Sequence, residues 1–216
     1  MKGKPKHIIL LSGGMDSAVA GCMVAESKGK ALAISFDYGQ RHKKELVYAE
    51  AFAKEMGWDW KVFQMPIGQF SNNALTNPKK SINKTYRCLP ATFVPGRNLF
   101  FLTAAGAIAY SLRLTEVTGG WNVVDYGGYP DCREGFLTRT QYALRDAMNW
   151  MVEINRPVIL MTKSEIVRIG AELKVPFGLT WSCYAGKDKP CGKCNSCINR
   201  AKGFEEAGVI DPLLMA

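Results

Sequence analysis

The stretch with the most evident chemistry is Ser12-Gly13-Gly14-Met15-Asp16-Ser17. It follows the apolar run His7 to Leu11 and precedes Ala18 to Glu26, which reads as a helix. Strand, glycine turn and helix in that order aim backbone N–H groups at an anion. Gly13 and Gly14 have no Cβ, so they can take positive φ and let a phosphate approach the main chain. Ser12 and Ser17 add hydroxyl donors, and the helix opening adds the positive end of its dipole. Asp16 is out of place beside a polyanion unless it holds the loop amides, caps the helix or meets the phosphates through Mg²⁺. A nucleotide P-loop is excluded because no Lys follows the glycines, and a dinucleotide fingerprint is excluded because G-x-G-x-x-G is absent. The simpler alternative is a serine-glycine turn that only caps a helix.

Two further stretches suit an anionic, planar ligand. Asn122 to Arg133 gathers Asp125, Asp131, Tyr126, Tyr129, Cys132 and Arg133 after the strand-like run Thr115 to Trp121. Aromatic faces can sandwich a heterocycle, carboxylates can accept from an amidine-type N–H edge, and Arg can pair with a carboxylate. A guanine-like ligand bearing an acid fits that set; a Gly/Pro turn capped by its own aspartates is the alternative. Arg97, in Val94-Pro95-Gly96-Arg97-Asn98, opens an apolar helix from Leu99 to Leu112. Lys163 stands at the first position of a helix to Leu173, behind the capping box Thr162 to Glu165. A cation at a helix start opposes the dipole, which points to a nearby anion; for Arg97 a surface pairing with a carboxylate is the alternative.

Cys183, Cys191, Cys194 and Cys197 are spaced C-x7-C-x2-C-x2-C. Thiolates at that spacing can close a tetrahedral Zn²⁺ site, which would be structural because no position stays open for substrate. A [4Fe–4S] cluster is the rival, although the C-x3-C-P continuation of a ferredoxin run is missing. Disulfides come third in a sequence with the look of an intracellular protein. Cys22 reads as core, and Cys132 lies in the expected pocket, where a thiol could react.

The elements that must position these groups alternate. Ala31 to Phe36 reads as a buried strand, Lys43 to Met56 as a helix, Trp60 to Met65 as a strand, Glu134 to Glu153 as a helix, Pro157 to Met161 as a fifth strand and Asn199 to Ala207 as a last helix. Alternation implies an α/β fold with a doubly wound parallel sheet, binding its ligand at the carboxyl ends of the strands. The Ser12 loop and the turn Asp37 to Arg41 then face one pocket, with Tyr38 and Gln40 as candidate substrate contacts. Residues 66–95 are too long for an ordinary connection and read as an insertion that forms a lid or a locally disordered loop, with a solvated surface excursion as the alternative. At 216 residues and 47% hydrophobic content one main domain is expected, residues 1–180, with a metal-binding segment 181–216 packed on it. A formal charge of +9 suits nucleotides or RNA without choosing between them. The apolar run behind the basic N-terminus is too short for a secretory signal, and no stretch is long enough to span a membrane, so a cytoplasmic location is expected.

SGGMDS resembles the pyrophosphate loop of ATP pyrophosphatases, which cut ATP between the α and β phosphates and adenylate a substrate. SGGMDS, FDYGQRHKKE, VPGRN, NVVDYGGYPDCR, MTKSEIV, LTWSCY and PCGKCNSCINRAKGF, in this order, together resemble the 7-cyano-7-deazaguanine synthase family of queuosine and related deazapurine biosynthesis. The resemblance covers nearly the whole chain. It implies an adenine-nucleotide-hydrolase-like domain with a small zinc-bearing C-terminal segment, a homodimer, and no requirement for nucleic acid. The implied activity is ATP-dependent conversion of 7-carboxy-7-deazaguanine and ammonia to the 7-nitrile through adenylated intermediates, with Mg²⁺ arriving with ATP. By position, Leu10, Leu11, Ser12, Gly13, Gly14, Met15, Asp16, Ser17, Ala18, Val19 and Ala20 would bind ATP. Cys183, Cys191, Cys194 and Cys197 would bind one zinc per subunit. Asp125, Tyr126, Asp131 and Arg133 would line the deazapurine pocket, and Asp16, Lys163 and Arg97 would act on the phosphates, Lys163 stabilising charge at the α-phosphate. Trp121 is bulkier than the family pattern before the pocket asparagine, and Gly127 replaces its serine; both bear on the acceptor. The second reading is a superfamily relative that modifies tRNA or joins a deazapurine acid to another acceptor. A non-enzymatic zinc module would leave the Ser12 loop without a purpose.

Overall fold

The computed structural model describes residues 4–41, 43–70, 73–86, 88–125 and 128–214. Its strands are β1 (His7–Leu10), β2 (Ala31–Asp37), β3 (Asp59–Gln64), a short ribbon of β4 (Thr85–Tyr86) and β5 (Leu89–Pro90), β6 (Glu116–Thr118) and β7 (Glu153–Asn155). The helices are α1 (Met15–Lys28), α2 (Lys44–Glu55), α3 (Arg97–Leu112), α4 (Glu134–Met148), α5 (Lys163–Glu172) and α6 (Asn195–Ala207). The main sheet is parallel, in the order β3-β2-β1-β6-β7. Every residue of β2 is buried, as a parallel strand covered on both faces requires.

Alternation along the strands divides the core. Ile9 and Ala33 face a cluster with Val19, Phe52, Ile166 and Phe204; Ile8 and Ile34 face Leu102, Leu137 and Ile154 on the other side. Thus α1, α2, α5 and α6 cover one face, and α3 and α4 the other. The chain leaves β1 towards β2 on one side and returns as β6 on the other, so the crevice beyond β1 is a topological switch point, where such sheets bind ligands.

Several expected elements shift. The fourth strand stops at Thr118 because Gly119 and Gly120 carry the chain across the first turn of α1: a Cβ on Gly120 would stand 2.4 Å from Ser17 N. The fifth strand is Glu153–Asn155, not Pro157 to Met161. Helix α4 ends at Asn149, which is left-handed (φ 46°), and Gln141 Oε1 and Arg145 Nε then hold the returning chain at Ile154 N and Val152 O. Residues 157–160 form turns, and Val158 and Ile159 are buried there. Helix α6 starts at Asn195, four residues earlier than read from sequence, so Cys197 lies in its first turn.

The segment 66–95 is not an open excursion. Arg41 donates to the carbonyls of Ala74, Pro78 and Lys80, Gly68 N donates to Tyr38 O at 3.0 Å, and the Thr92 and Tyr129 hydroxyls meet at 2.6 Å. These bonds make it a wall over the carboxyl end of β2. Among the described residues no helix is long and apolar enough to cross a membrane.

Candidate active site

The loop after β1 is held from three sides. Gly13 has φ +85°, and its carbonyl accepts from Trp181 N at 2.7 Å. Ser12 Oγ and Ser17 Oγ lie 3.0 Å apart; Ser12 Oγ accepts from Gly14 N, and Ser17 Oγ accepts from Ser12 N and donates to Gly14 O. Gly14 is the N-cap of α1, and without a side chain it supplies no cap bond to the helix's first-turn amides. Those amides keep the anion-binding capacity of a bare helix N-terminus.

Asp16, in that first turn, does not cap the helix. Its Oδ2 pairs with Lys163 Nζ at 2.7 Å, and among the described residues its buried Oδ1 has no hydrogen-bond partner. Lys163 begins α5, fixed by the capping box in which Thr162 Oγ1 accepts from Glu165 N and Glu165 Oε2 accepts from Thr162 N. Gly203 of α6 gives the room: a Cβ there would lie 2.8 Å from Lys163 Cβ. Burial works against the ammonium, but Asp16 and Asp125 outweigh it and hold its pKa above the usual lysine value. Asp125 is pushed up to about 6, chiefly by burial, against the opposing pull of Lys163; Asp16 adds to the rise. Asn122 Nδ2 donates to Asp125 Oδ2 at 2.9 Å.

Arg97 opens α3 with its guanidinium 5.6 Å from the Tyr38 ring centroid. Burial would lower its pKa, but Tyr38, Cys132 and Asp131 hold it up, so it stays charged. Among the described residues it forms no ion pair with a carboxylate. Gln40 is buried and braces the wall: Oε1 accepts from Tyr38 N, and Nε2 donates to Phe36 O and to Glu45 Oε1. Burial pushes the Glu45 carboxyl up to about 7 against Arg97 and Gln40.

These groups enclose a cavity of about 240 Å³. Of the residues singled out in the sequence, Leu10, Leu11, Ser12, Gly14, Asp16, Ser17, Tyr38, Gln40, Arg97 and Asp125 line it. Met15, Ala18, Val19 and Ala20 instead sit in the core beneath the loop. Lys163 reaches the cavity through Asp16. Asp131 is spent elsewhere: it is buried, and its Oδ2 accepts from Asn98 N in the first turn of α3. Arg133 is exposed at the start of α4. Tyr126 and Gly127 lie outside the described residues. Cys132 lines the cavity, but burial, with Asp125 and Asp131 nearby, pushes its thiol up against the opposing pull of Arg97 and of the Asn98 Nδ2 donor 3.3 Å from its sulfur, which argues against a reactive thiolate. Trp121 lines the cavity with its ring against Gly119, where a Cβ would lie 2.5 Å from it.

Sequence reasoning missed Glu45, Trp181, Ser182 and Tyr184 on this wall. The last three precede or follow Cys183, so the cysteine segment is itself part of the cavity. Buried Arg200 of α6 pairs with Asp211 at 2.7 Å and donates to Thr180 Oγ1 and Phe177 O, which fixes the strand of chain carrying Trp181.

The four candidate sulfurs of Cys183, Cys191, Cys194 and Cys197 lie within 4.8 Å of one another. Cys183 Sγ accepts from Ala185 N and Cys191 N, both at 3.3 Å. Cys191 is lowered to about 7: burial would raise it, but the amides of Lys193 and Cys194 overcome that. Gly186 and Gly192, at φ 64° and 69°, turn the chain between the ligands. Soft, mutually close and N–H-supported sulfurs are a donor set that fits a tetrahedral metal ion.

Similarity to known proteins extends over nearly the whole chain. The family model described as queuosine biosynthesis protein QueC matches residues 6–208. The 7-cyano-7-deazaguanine synthase of Thermoplasma volcanium is 41% identical, over 96% of this chain and 90% of its own length. Among solved structures, the NMN synthetase of Francisella tularensis has a TM-score of 0.55 at 18% identity, covering 97% of this chain and 76% of its own. The U34-tRNA thiolase NcsA of Methanococcus maripaludis, solved with its [4Fe–4S] cluster, has a TM-score of 0.52 at 15% identity, covering 94% of this chain and 64% of its own. At those identities the two structures establish a shared fold.

Proposed function

The chain belongs to the QueC family, and we propose that it converts 7-carboxy-7-deazaguanine and ammonia to 7-cyano-7-deazaguanine in an ATP-driven ligase reaction. The observation that carries the reading is the meeting, in one cavity, of the opening of α1, Asp16 and Asp125 with Arg97, Tyr38 and Gln40, Lys163 joining through its pair with Asp16.

A carboxylate resists attack by nitrogen and must first be activated. In this reading ATP lays its phosphates along the Ser12 loop, and Lys163 and Arg97 neutralise charge at the α-phosphate. A carboxylate oxygen of the substrate attacks the α-phosphorus, pyrophosphate leaves, and an acyl adenylate forms. Ammonia displaces AMP to give the amide. A second activation, at the amide oxygen, and loss of AMP give the nitrile. Asp16 Oδ1 and Asp125 are the oxygens able to hold a Mg²⁺ that shields the phosphates. Asp125 accepts from the deazapurine edge, and Tyr38 and Gln40 complete that wall; Asp131 acts indirectly, by holding the end of α3 that carries Arg97. The chain's part is positioning and charge compensation, with no protein nucleophile.

Zn²⁺ is the metal proposed for the four cysteines, one per subunit, in a segment 181–216 that braces the nucleotide domain 1–180. A homodimer in the cytoplasm completes the reading. Mass spectrometry of a reaction with 7-carboxy-7-deazaguanine, ATP, Mg²⁺ and ammonium tests it: the nitrile, AMP and pyrophosphate are expected. ADP and phosphate without AMP would reject attack at the α-phosphorus.

A further inference from the structure

Glu45 has no part in the chemistry so far, yet it lines the same cavity. Its backbone is locked against the phosphate loop: the carbonyl of Glu45 lies where a Cβ on Gly13 would stand, 2.1 Å away. Its side chain points back to the substrate wall, where Gln40 Nε2 donates to Oε1 at 3.2 Å. Gln40 cannot turn away, because its other bonds, to Tyr38 N and Phe36 O, tie it to the end of β2. Glu45 is therefore a carboxyl of fixed position between the site for activated phosphate and the aromatic wall.

Its neighbours leave it free to take a proton. Arg97 of α3 and Tyr38 of the β2–α2 turn are the groups that couple to it, and Arg97 is held as a permanent cation. Arg41 of the same turn is engaged by the 66–95 wall. On its own helix and just before it, Lys43 pairs with Asp37 and Lys44 with Asp188. Asp125 and Tyr184 face the cavity from the β6 loop and the cysteine segment, with Asp125 engaged by Asn122. Burial balanced against Arg97 and Gln40 brings Glu45 to about 7, where a carboxyl both accepts and releases protons near neutral pH.

We propose that Glu45 is the proton acceptor for nitrogen in the proposed reaction, serving its C–N steps and not its phosphoryl transfers. The inference rests on the adenylation reading above. As ammonia bonds to the acyl carbon, the C–O bond to AMP breaks and its electron pair leaves with AMP; the nitrogen must shed a proton to end as a neutral amide, and the Glu45 carboxylate takes it. In the second stage the nitrogen sheds its remaining protons while the further C–N bonds form and the second AMP departs. Between transfers Glu45 returns each proton to water. No oxidant or further reactant enters.

Glu45→Gln keeps the volume and the bond to Gln40 but cannot accept a proton. Acid-dependent exchange of labelled pyrophosphate into ATP reports adenylation alone. The variant is expected to retain exchange, to lose about 10²–10⁴-fold in nitrile formation from ammonium, and to lose the limb of the kcat–pH profile that falls below neutrality. Hydroxylamine gives an adduct far more acidic than that of ammonia, which sheds its proton to water, so acyl hydroxamate should still form. Glu45→Asp, which keeps a carboxyl, should recover part of the nitrile rate. Nitrile formation at the wild-type rate, or an equal loss with hydroxylamine and ammonium, would overturn the proposal, as would loss of exchange in a variant with a wild-type circular dichroism spectrum. Absence of exchange in the wild-type protein would sink the adenylation reading and the role of Glu45 with it.

Discussion

Gly13→Ala is the sharpest perturbation of the phosphate loop. Gly13 sits at φ +85°, and a Cβ there would stand 2.1 Å from the carbonyl oxygen of Glu45 and 2.9 Å from its carbon. Both are backbone atoms, so no side-chain rotation relieves the overlap. The left-handed conformation costs a non-glycine residue about 1–2 kcal/mol, and overpacking against fixed atoms adds about 1–3 kcal/mol. In a chain of this size each kcal/mol moves Tm by about 2–4 °C, so a fall on the order of 10 °C is expected in a thermal melt. Relief must come from separating the loop from α2, which disturbs the Gly13 O to Trp181 N bond. Displacement of this kind costs about 10²-fold in rate when reacting groups lose alignment, so AMP release should fall by about that factor at a temperature where the variant is folded. A Gly13→Ala protein with wild-type Tm and turnover would refute the placement of the loop against α2.

Lys163→Ala should lower kcat by about 10²–10³; because Lys163 pulls the Asp125 pKa down, ¹³C NMR of that carboxyl should find it titrating still higher in the variant. His7, fully buried, finds no hydrogen-bond partner for either ring nitrogen among the described residues. Burial lowers its pKa below 6.5 with help from Lys28, against Glu116. Above the unfolded value of about 6.5 both states are neutral and its contribution is flat; below it only the unfolded chain takes the proton, so stability falls by up to about 1.4 kcal/mol per pH unit until the folded pKa is reached. Urea unfolding between pH 7 and 5 should show that slope, reduced in His7→Leu. Stripping metal with a chelator should expose thiols to a thiol reagent, lower Tm and weaken nucleotide binding by calorimetry, because the segment carrying Cys183 also carries Trp181 onto the loop; nucleotide affinity unchanged in metal-free protein would contradict that coupling.

The parallel sheet, the glycine loop before α1 and the gathering of the four cysteines were legible because each rests on local pattern: a buried apolar run, a glycine turn before a helix, cysteines at close spacing. The fifth strand was not. Pro157 to Met161 has a strand's composition, yet the pairing with β6 falls on Glu153–Asn155, chosen by side chains of α4. Asp131 reads as a ligand by type, but its bond to Asn98 joins positions 33 residues apart, which no local pattern reveals. Glu45 was hidden among Lys43 and Lys44, where it resembles an ordinary solvated first turn; only the folded chain shows that Lys43 pairs with Asp37 and Lys44 with Asp188 while Glu45 lines the cavity.

The central claim is that substrate carboxylate oxygen attacks the α-phosphorus of nucleotide held on the Ser12 loop. Mass spectrometry of products from 7-carboxy-7-deazaguanine labelled with ¹⁸O in its carboxylate tests this directly. The account predicts that the label passes to AMP and is absent from pyrophosphate. Label recovered in inorganic phosphate, or AMP free of label beside a formed nitrile, would contradict it.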